Sequence, residues 1–348
     1  MREFCGLLSK EVNHFFEEEG ERSFRAKQLF DWVYEKGVLD YDKMVNLPQS
    51  LRNRLKETLP LGLLHLEKME NSGDGETKKF LWKLLDGCFV ESVLIISGNR
   101  RTVCVSSQVG CPARCAFCAS GKEGGIRNLT SAEIVEQVAL INQYLLEKGE
   151  RVTHIVFMGM GEPLENYLGV VRALKILMDR HLFGFSPRKI TVSTVGVVPK
   201  IHQMIEEGLK VNLALSLHAP NQHVRKKIVP YARKFPFEDV LNSVRCYSKF
   251  TKRDITYEYV LLDGINDTEE HAKELADLLK GEQSIVNLIP YNPVMGLNLK
   301  RPSSAKIEKF HKILSQHHVV TTRRYTKGKD IAAACGQLAL RKKDKKNL

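Results

Sequence analysis

The stretch TVCVSSQVGCPARCAFC, residues 102–118, runs from a short β-branched segment straight into a loop carrying three cysteines. Thr102 to Ser106 reads as a strand, and Cys111, Cys115 and Cys118 follow it with C-x3-C-x2-C spacing. That spacing lets three thiolates converge on one centre, and the loop after a core strand is where an α/β protein places a cofactor. Two metals compete for it. Structural zinc takes four tetrahedral ligands, with Cys104, seven residues upstream of Cys111, as a conceivable fourth. A [4Fe-4S] cluster is held by cysteine thiolates, and with three of them it keeps one iron open for a small ligand.

Outward from this loop the chain repeats strand, loop and helix. Val152 to Met158, Lys189 to Thr194, Val211 to Leu217, Ile255 to Leu262 and Ile285 to Ile289 are further strand-like runs. The helical pattern Thr130 to Lys148 opens with the capping box Thr130-x-x-Glu133 and places Ile134, Val138, Ile141 and Leu145 on one face. Six strands alternating with helices argue for a parallel sheet; a doubly wound open sheet and a partial TIM-like barrel both satisfy the pattern. Either architecture puts its site at the carboxyl ends of the strands.

Residues 1–75 read as a helical, basic domain, with Phe24, Leu29, Phe30, Val33 and Tyr34 as its buried face and Arg22, Arg25, Lys27 and Lys36 around it. Asn71 to Gly75 is a run of turn residues that suits a linker. Phe80 to Leu85 and Cys88 to Ile96 then form a connecting β-hairpin within residues 76–100, with Asp86-Gly87 suited to a type I′ turn. The main domain covers residues 101–340, and residues 341–348 are a basic tail.

The 348 residues carry 53 Lys+Arg against 41 Asp+Glu, a net charge of +12, and this excess suits a polyanionic partner such as nucleic acid. With 43% hydrophobic residues the chain can bury a sizeable core, which excludes a disordered protein. Eight cysteines are far too few for a disulfide scaffold of this length. Glu3, Glu11 and Glu17 to Glu19 break up any signal-peptide core, and no apolar run approaches the ~18 residues of a membrane span. A cytoplasmic location with no membrane partner is the expectation, and in that compartment cysteines serve metal or redox chemistry.

Polar residues recur where a strand-end site needs them. Met158-Gly-Met-Gly-Glu162-Pro163 follows the second strand, and its glycines let the backbone approach a ligand closely. Ser193 ends the third strand, Ser216-Leu217-His218 the fourth, and Asn292 follows the sixth. A lone serine or histidine at such a place is commonly a turn residue; several at successive strand ends suggest one shared site.

With Phe117 before the last cysteine, the triplet resembles the cluster motif of the radical S-adenosylmethionine (SAM) enzymes. CVSSQVGC (104–111), GMGEP (159–163), SLHAPN (216–221) and DIAAACGQL (330–338) resemble one subfamily, the adenine C-2 methyltransferases of 23S ribosomal RNA, often active on transfer RNA as well. The likeness runs from about residue 20 to residue 340. It implies a partial (β/α)6 TIM-like radical-SAM barrel with an N-terminal helical domain. It implies a [4Fe-4S] cluster on Cys111, Cys115 and Cys118, its open iron chelating SAM, and SAM contacts at Gly161, Glu162, Ser193, Ser216, Leu217, His218 and Asn292. A 23S RNA partner, a transfer RNA partner and an electron-donor protein are implied too.

Chemistry gives two further cysteines a purpose. The C-2 carbon of adenine is electron-poor and cannot attack the electrophilic methyl of SAM, so a nucleophile must take the methyl first, and thiolate is the strongest available. The resemblance implies that Cys335 is this acceptor. A second SAM, cleaved reductively, yields a radical that removes hydrogen from the S-methyl group; the methylene radical adds to C-2 and tethers RNA to Cys335. Cys104 resolves the adduct by forming a disulfide with Cys335, and Glu91 is the implied proton acceptor. A strand glutamate such as Glu91 is ordinarily a solvated charge, and a general-base role would need burial near the base. The sister group that methylates C-8 has Ala where this chain has Pro163, which favours C-2. The contrasting reading is a non-catalytic, zinc-stabilised RNA-binding module. Cys5, Cys88 and Cys246 have no role in either.

Overall fold

The computed structural model describes residues 3–122, 124–323 and 327–338. Three helices open the chain, α1 (Ser9–Glu18), α2 (Phe24–Phe30) and α3 (Gln49–Thr58). An antiparallel run follows, β1 (Leu64–Asn71), β2 (Thr77–Leu84), β3 (Phe89–Ser97) and β4 (Arg100–Cys104). A two-stranded hairpin, β5 (Gln108–Gly110) and β6 (Gly125–Asn128), carries the cysteine loop. Then come α4 (Ser131–Leu146), β7 (His154–Phe157), α5 (Tyr167–Met178), β8 (Ile190–Thr194), α6 (Val198–Glu206) and β9 (Asn212–Ser216). The chain continues through α7 (Gln222–Ile228), α8 (Phe237–Thr251), β10 (Ile255–Leu261), α9 (Glu269–Leu278), β11 (Ser284–Pro290), α10 (Ser304–Gln316) and β12 (Thr321–Arg323).

Ten strands form one sheet in the order β1-β2-β3-β4-β7-β8-β9-β10-β11-β12, antiparallel as far as β4 and parallel from β4 onward. This is an α/β architecture, a mixed sheet with a helical N-terminal region, of the kind the resemblance implies. Alternation along each strand divides the two faces. On β8, Ile190 and Val192 are fully buried against helices, whereas Thr191 and Ser193 face the interior and stay partly accessible. The expected helix 130–148 is α4, and its capping box is complete: Glu133 N donates to Thr130 Oγ1 at 3.1 Å and Thr130 N to the Glu133 carboxylate at 2.9 Å.

β12 is an edge strand, and the turn segment 327–338 crosses back from that side of the sheet. Lys327 Nζ donates to Ile96 O at 3.0 Å, and Gly73 N donates to the Asp330 carboxylate at 2.7 Å. At its far end, Ala119 N donates to Gly336 O at 2.8 Å and Ser120 Oγ to Leu338 O at 2.6 Å. Cys335 is thereby carried to the cysteine loop.

Several expectations need correction. Residues 1–75 are helical only as far as Thr58; from Leu64 the chain is β1, whose side chains are mostly exposed, so no apolar alternation advertises it. Asn71 to Gly75 is the β1–β2 turn, not a linker, closed by Ser72 N to Thr77 O at 2.9 Å. Residues 76–100 are part of the main sheet, with β1 and β4 paired on either side, and not a separate connector. Their turn is not type I′. Gly87 alone has positive φ, +80°, and Gly87 N bonds Leu84 O at 2.9 Å, the three-residue loop with a glycine bulge. Phe24 is 44% exposed and leaves the expected buried face, which Leu29, Phe30, Val33 and Tyr34 form. The basic tail 341–348 and residues 339–340 lie outside the described residues.

The N-terminal region docks on the outer helices. Arg172 on α5 donates to Gly6 O at 2.6 Å and pairs with Glu11 at 2.7 Å. The fully buried Glu136 of α4 accepts from the amides of Gly62 (3.1 Å), Leu63 (2.7 Å) and Leu64 (3.1 Å). Burial pushes its carboxyl up to about 7 against the pull of those amides. The folded state therefore retains a proton that the unfolded chain releases, so this contribution to stability is present below an ordinary carboxyl pKa of 4.5 and is lost as pH rises through about 7. Between about pH 5 and about pH 8 the wild type should lose up to about 3 kcal/mol relative to Glu136→Gln in urea unfolding. A difference that stays constant over that range would contradict this origin.

Candidate active site

The three cysteines sit in the loop between β5 and β6, whose ends are pinned by Cys111 N to Gly124 O at 3.1 Å. Glycine is required at this closure: Gly110 has φ +76°, and a Cβ there would collide with Gly124 O. α7 supports the loop from beneath through Ala116 N to Ile228 O at 2.8 Å. Burial pushes the Cys111 thiol up to about 12. Burial raises Cys115 too, helped by Cys118 and Cys111, and raises Cys118. The three thiols feel one another and are neutral as they stand. A polynuclear cation centre would supply the charge that makes them thiolates.

They line a cavity of about 130 Å³. Gly161, Glu162, Ser193, Ser216 and His218 line its remaining wall, so five strand-end residues read from the sequence meet the triplet. The two glycines of 159–161 run against the end of β4: a Cβ on Gly159 would lie 2.6 Å from Val105 O, and one on Gly161 would lie 2.6 Å from Ser107 Oγ. Glu162 accepts from Thr194 Oγ1 at 2.7 Å, Val195 N at 2.8 Å and Leu164 N at 3.0 Å, and burial pushes its carboxyl up to about 7. Ser193 Oγ and Ser216 Oγ stand 3.4 Å apart. His218 accepts at Nδ1 from Val260 N (3.1 Å) and meets the Phe117 ring edge-on at 4.7 Å; burial lowers it to about 3, so the imidazole is neutral.

Two residues expected as contacts are not among those that line this cavity. Leu217 packs its side chain in the main core and does not line this cavity. Asn292 faces a different cavity, and its Nδ2 donates to Cys335 O at 3.4 Å.

Cys104 ends β4, 8% exposed and paired across the sheet with Val93. It lines a neighbouring cavity together with Cys118 and Cys335. The four-thiol zinc arrangement is not formed here, because Cys104 does not line the cavity that Cys111 and Cys115 line. Among the described residues no three His, Cys, Asp or Glu side chains gather for a single ion. The thiols stand around a cavity, as the separate corners of an iron–sulfur cube need. Glu91 lies two residues from Val93 on the same face of β3, is 2% exposed, and is 3.5 Å from Lys79 Nζ. It is not the solvated strand glutamate that its position alone would suggest.

Two site residues had escaped the sequence reading. Arg225 on α7 is 1% exposed, donates to Leu217 O (3.1 Å), Val195 O (2.6 Å) and Ser216 O (3.1 Å), and is lowered to about 10 by burial. Nothing in a short polar helix marks one arginine as buried. Glu258 lines the cavity and accepts from Asn287 Nδ2 at 3.0 Å; a carboxylate amid the apolar run of β10 was a signal available to find it.

A family model described as the radical SAM superfamily matches residues 105–279, and one described as the ribosomal RNA large subunit methyltransferase N-terminal domain matches residues 3–60. A probable dual-specificity RNA methyltransferase RlmN 2 of Protochlamydia amoebophila is 60% identical over 325 residues, covering 93% of this chain and 91% of the relative. This chain belongs to the RlmN family of radical SAM methyltransferases. A second RlmN relative, from Dictyoglomus thermophilum, is 48% identical over 92% of this chain and 91% of its own length. The structure is similar to that of a radical SAM methyltransferase from Sphaerobacter thermophilus, with a TM-score of 0.95 at 43% identity over 97% of this chain and 99% of that one. As an RlmN-family member the chain is an enzyme that uses a [4Fe-4S] cluster and SAM to methylate RNA. The non-catalytic zinc module is thereby set aside. Among the described residues no helix is long and apolar enough to cross a membrane.

Proposed function

We propose that this RlmN-family enzyme methylates C-2 of an adenosine in 23S ribosomal RNA, at the peptidyl-transferase centre, and also in the anticodon loop of transfer RNA. The supporting observation is that Cys104 and Cys335, from distant parts of the chain, line one cavity with Cys118. Outside the triplet, these two cysteines sit where chemistry needs a nucleophile and a resolving thiol.

In this reading Cys111, Cys115 and Cys118 hold the cluster, which supplies the electron that cleaves SAM. Gly161, Glu162, Ser193, Ser216, Leu217, His218 and Asn292 hold SAM, Leu217 through backbone and Asn292 through the Cys335 loop. The Cys335 thiolate takes the methyl carbon of one SAM, with S-adenosylhomocysteine leaving, and after a second SAM-derived radical removes one hydrogen atom from it the S-methyl carbon bonds to C-2 of the base. Glu91, shielded from water beside Lys79, accepts the C-2 proton. Cys104 attacks the Cys335 sulfur, forming a disulfide and freeing the methylated RNA. An electron-donor protein and a cytoplasmic location complete the reading. Pro163 after the Gly-Glu pair supports C-2 over C-8.

Deleting the gene and restoring wild type or Cys335→Ala tests this directly. Mass spectrometry of nucleosides from 23S and transfer RNA should show 2-methyladenosine in both pools with wild type and in neither with Cys335→Ala. Detection of 8-methyladenosine alone would overturn it.

A further inference from the structure

The barrel interior has a second end, at the strand starts, away from the SAM pocket. Thr102 of β4 pairs with His154 of β7, and Ile155 pairs with Ile190 of β8. Side chains alternate along a strand, so Arg100, Thr102 and Cys104 share one inward face and Thr191 and Ser193 share the adjoining one, while Lys189, in the turn just before β8, lines the same cavity. A cavity of about 440 Å³ runs from Arg100, His154 and Lys189 to Lys327 and Cys335, and among the described residues no Asp or Glu lines it. Lys327 is matched by Glu76 at 2.8 Å. Among the described residues neither Arg100 nor Lys189 has an acidic partner. Both also act on His154, which burial first and then these two charges hold below its ordinary range.

Two unmatched cations at the rim of a cavity without carboxylates repel each other until an anion sits between them. Arg100 lies four residues from Cys104, about 13 Å along the strand, a span that an arginine side chain and one nucleotide fill together. We propose that this strand-start mouth is a phosphodiester-binding site, in which Arg100 and Lys189 grip the RNA backbone beside the target nucleotide while its base extends along the inner face to Cys335. The inference rests on the reading of Cys335 as the residue that attacks RNA. It adds that RNA and SAM enter the barrel from opposite ends.

The test uses reconstituted holoenzyme and a fluorescent RNA hairpin containing the target adenosine, with affinity measured against KCl concentration. Each phosphate contact contributes about one to the slope of log affinity on log salt. Arg100→Gln and Lys189→Gln should each lower that slope by about one and weaken binding roughly five- to tenfold at physiological salt. Lys312→Gln, on the outer helix α10, should leave both unchanged. Both target side chains are exposed, so thermal melting should match wild type and separate lost contacts from lost fold. Calorimetry with inorganic phosphate and with AMP tests the source of the anion. Wild-type slope and affinity in both variants would overturn the proposal, as would micromolar AMP binding that the substitutions abolish without touching RNA affinity. Failure of the wild type to methylate the hairpin would instead strike the parent reading.

Discussion

Cys104→Ala should leave the enzyme covalently attached to its RNA. Cys335 lies on a solvent-facing turn of the 327–338 segment, whereas Cys104 is held on a strand, 8% exposed, in the same cavity. An alanine at 104 creates little strain, because the site needs only a small side chain opposite Val93. Methyl transfer to Cys335 and addition to the base both precede the step that needs Cys104, so the adduct accumulates. A denaturing gel of Cys104→Ala incubated with SAM, reductant and RNA should show a band that carries both protein and RNA. Adding Cys335→Ala to the same chain should remove it. Multiple turnover should fall by more than about a thousandfold, as when one member of a catalytic unit is deleted. A slow enzyme without any adduct would refute the resolving role.

Replacing any one of Cys111, Cys115 or Cys118 with alanine should reduce iron from about four per chain to near zero and abolish SAM cleavage. All three thiols face one cavity, and burial keeps each of them protonated until a metal centre compensates the charge. Two thiols leave two irons exposed to solvent, a state prone to loss of the whole cluster. The loop itself should persist, since Cys111 N to Gly124 O, Ala116 N to Ile228 O and Ala119 N to Gly336 O are backbone bonds that the substitutions leave in place. Circular dichroism should therefore be unchanged while the brown colour is lost. Cys246→Ala, at an exposed position on α8, should keep both iron and activity. Four irons in any triplet variant would contradict the ligand set.

The parallel strands were legible because each is a short, mostly apolar run, and helices of 3.6 periodicity separate them. β1 was not, because as a strand with mostly exposed side chains it shows no apolar alternation and exists by pairing with β2. β12 is three residues long, too short for any pattern. Glu91 and Arg225 show the same limit at single residues: no local signal separates a solvated charge from one buried at 2% or 1%.

By itself the sequence determined what is local: the triplet, whose ligands lie within eight consecutive residues; the glycines that let residues 159–161 pass under the β4 end; and the strand–helix rhythm that places polar residues at strand ends. The tertiary structure decided everything that depends on residues far apart in the chain. It brought Cys104 and Cys335 to one cavity with Cys118, drew the 327–338 segment back to the cysteine loop, and set Arg100 and Lys189 on one cavity at the strand starts. The physical reason is that spacing constrains only the few residues one loop can close, whereas burial and charge proximity are set by which strands the sheet places side by side.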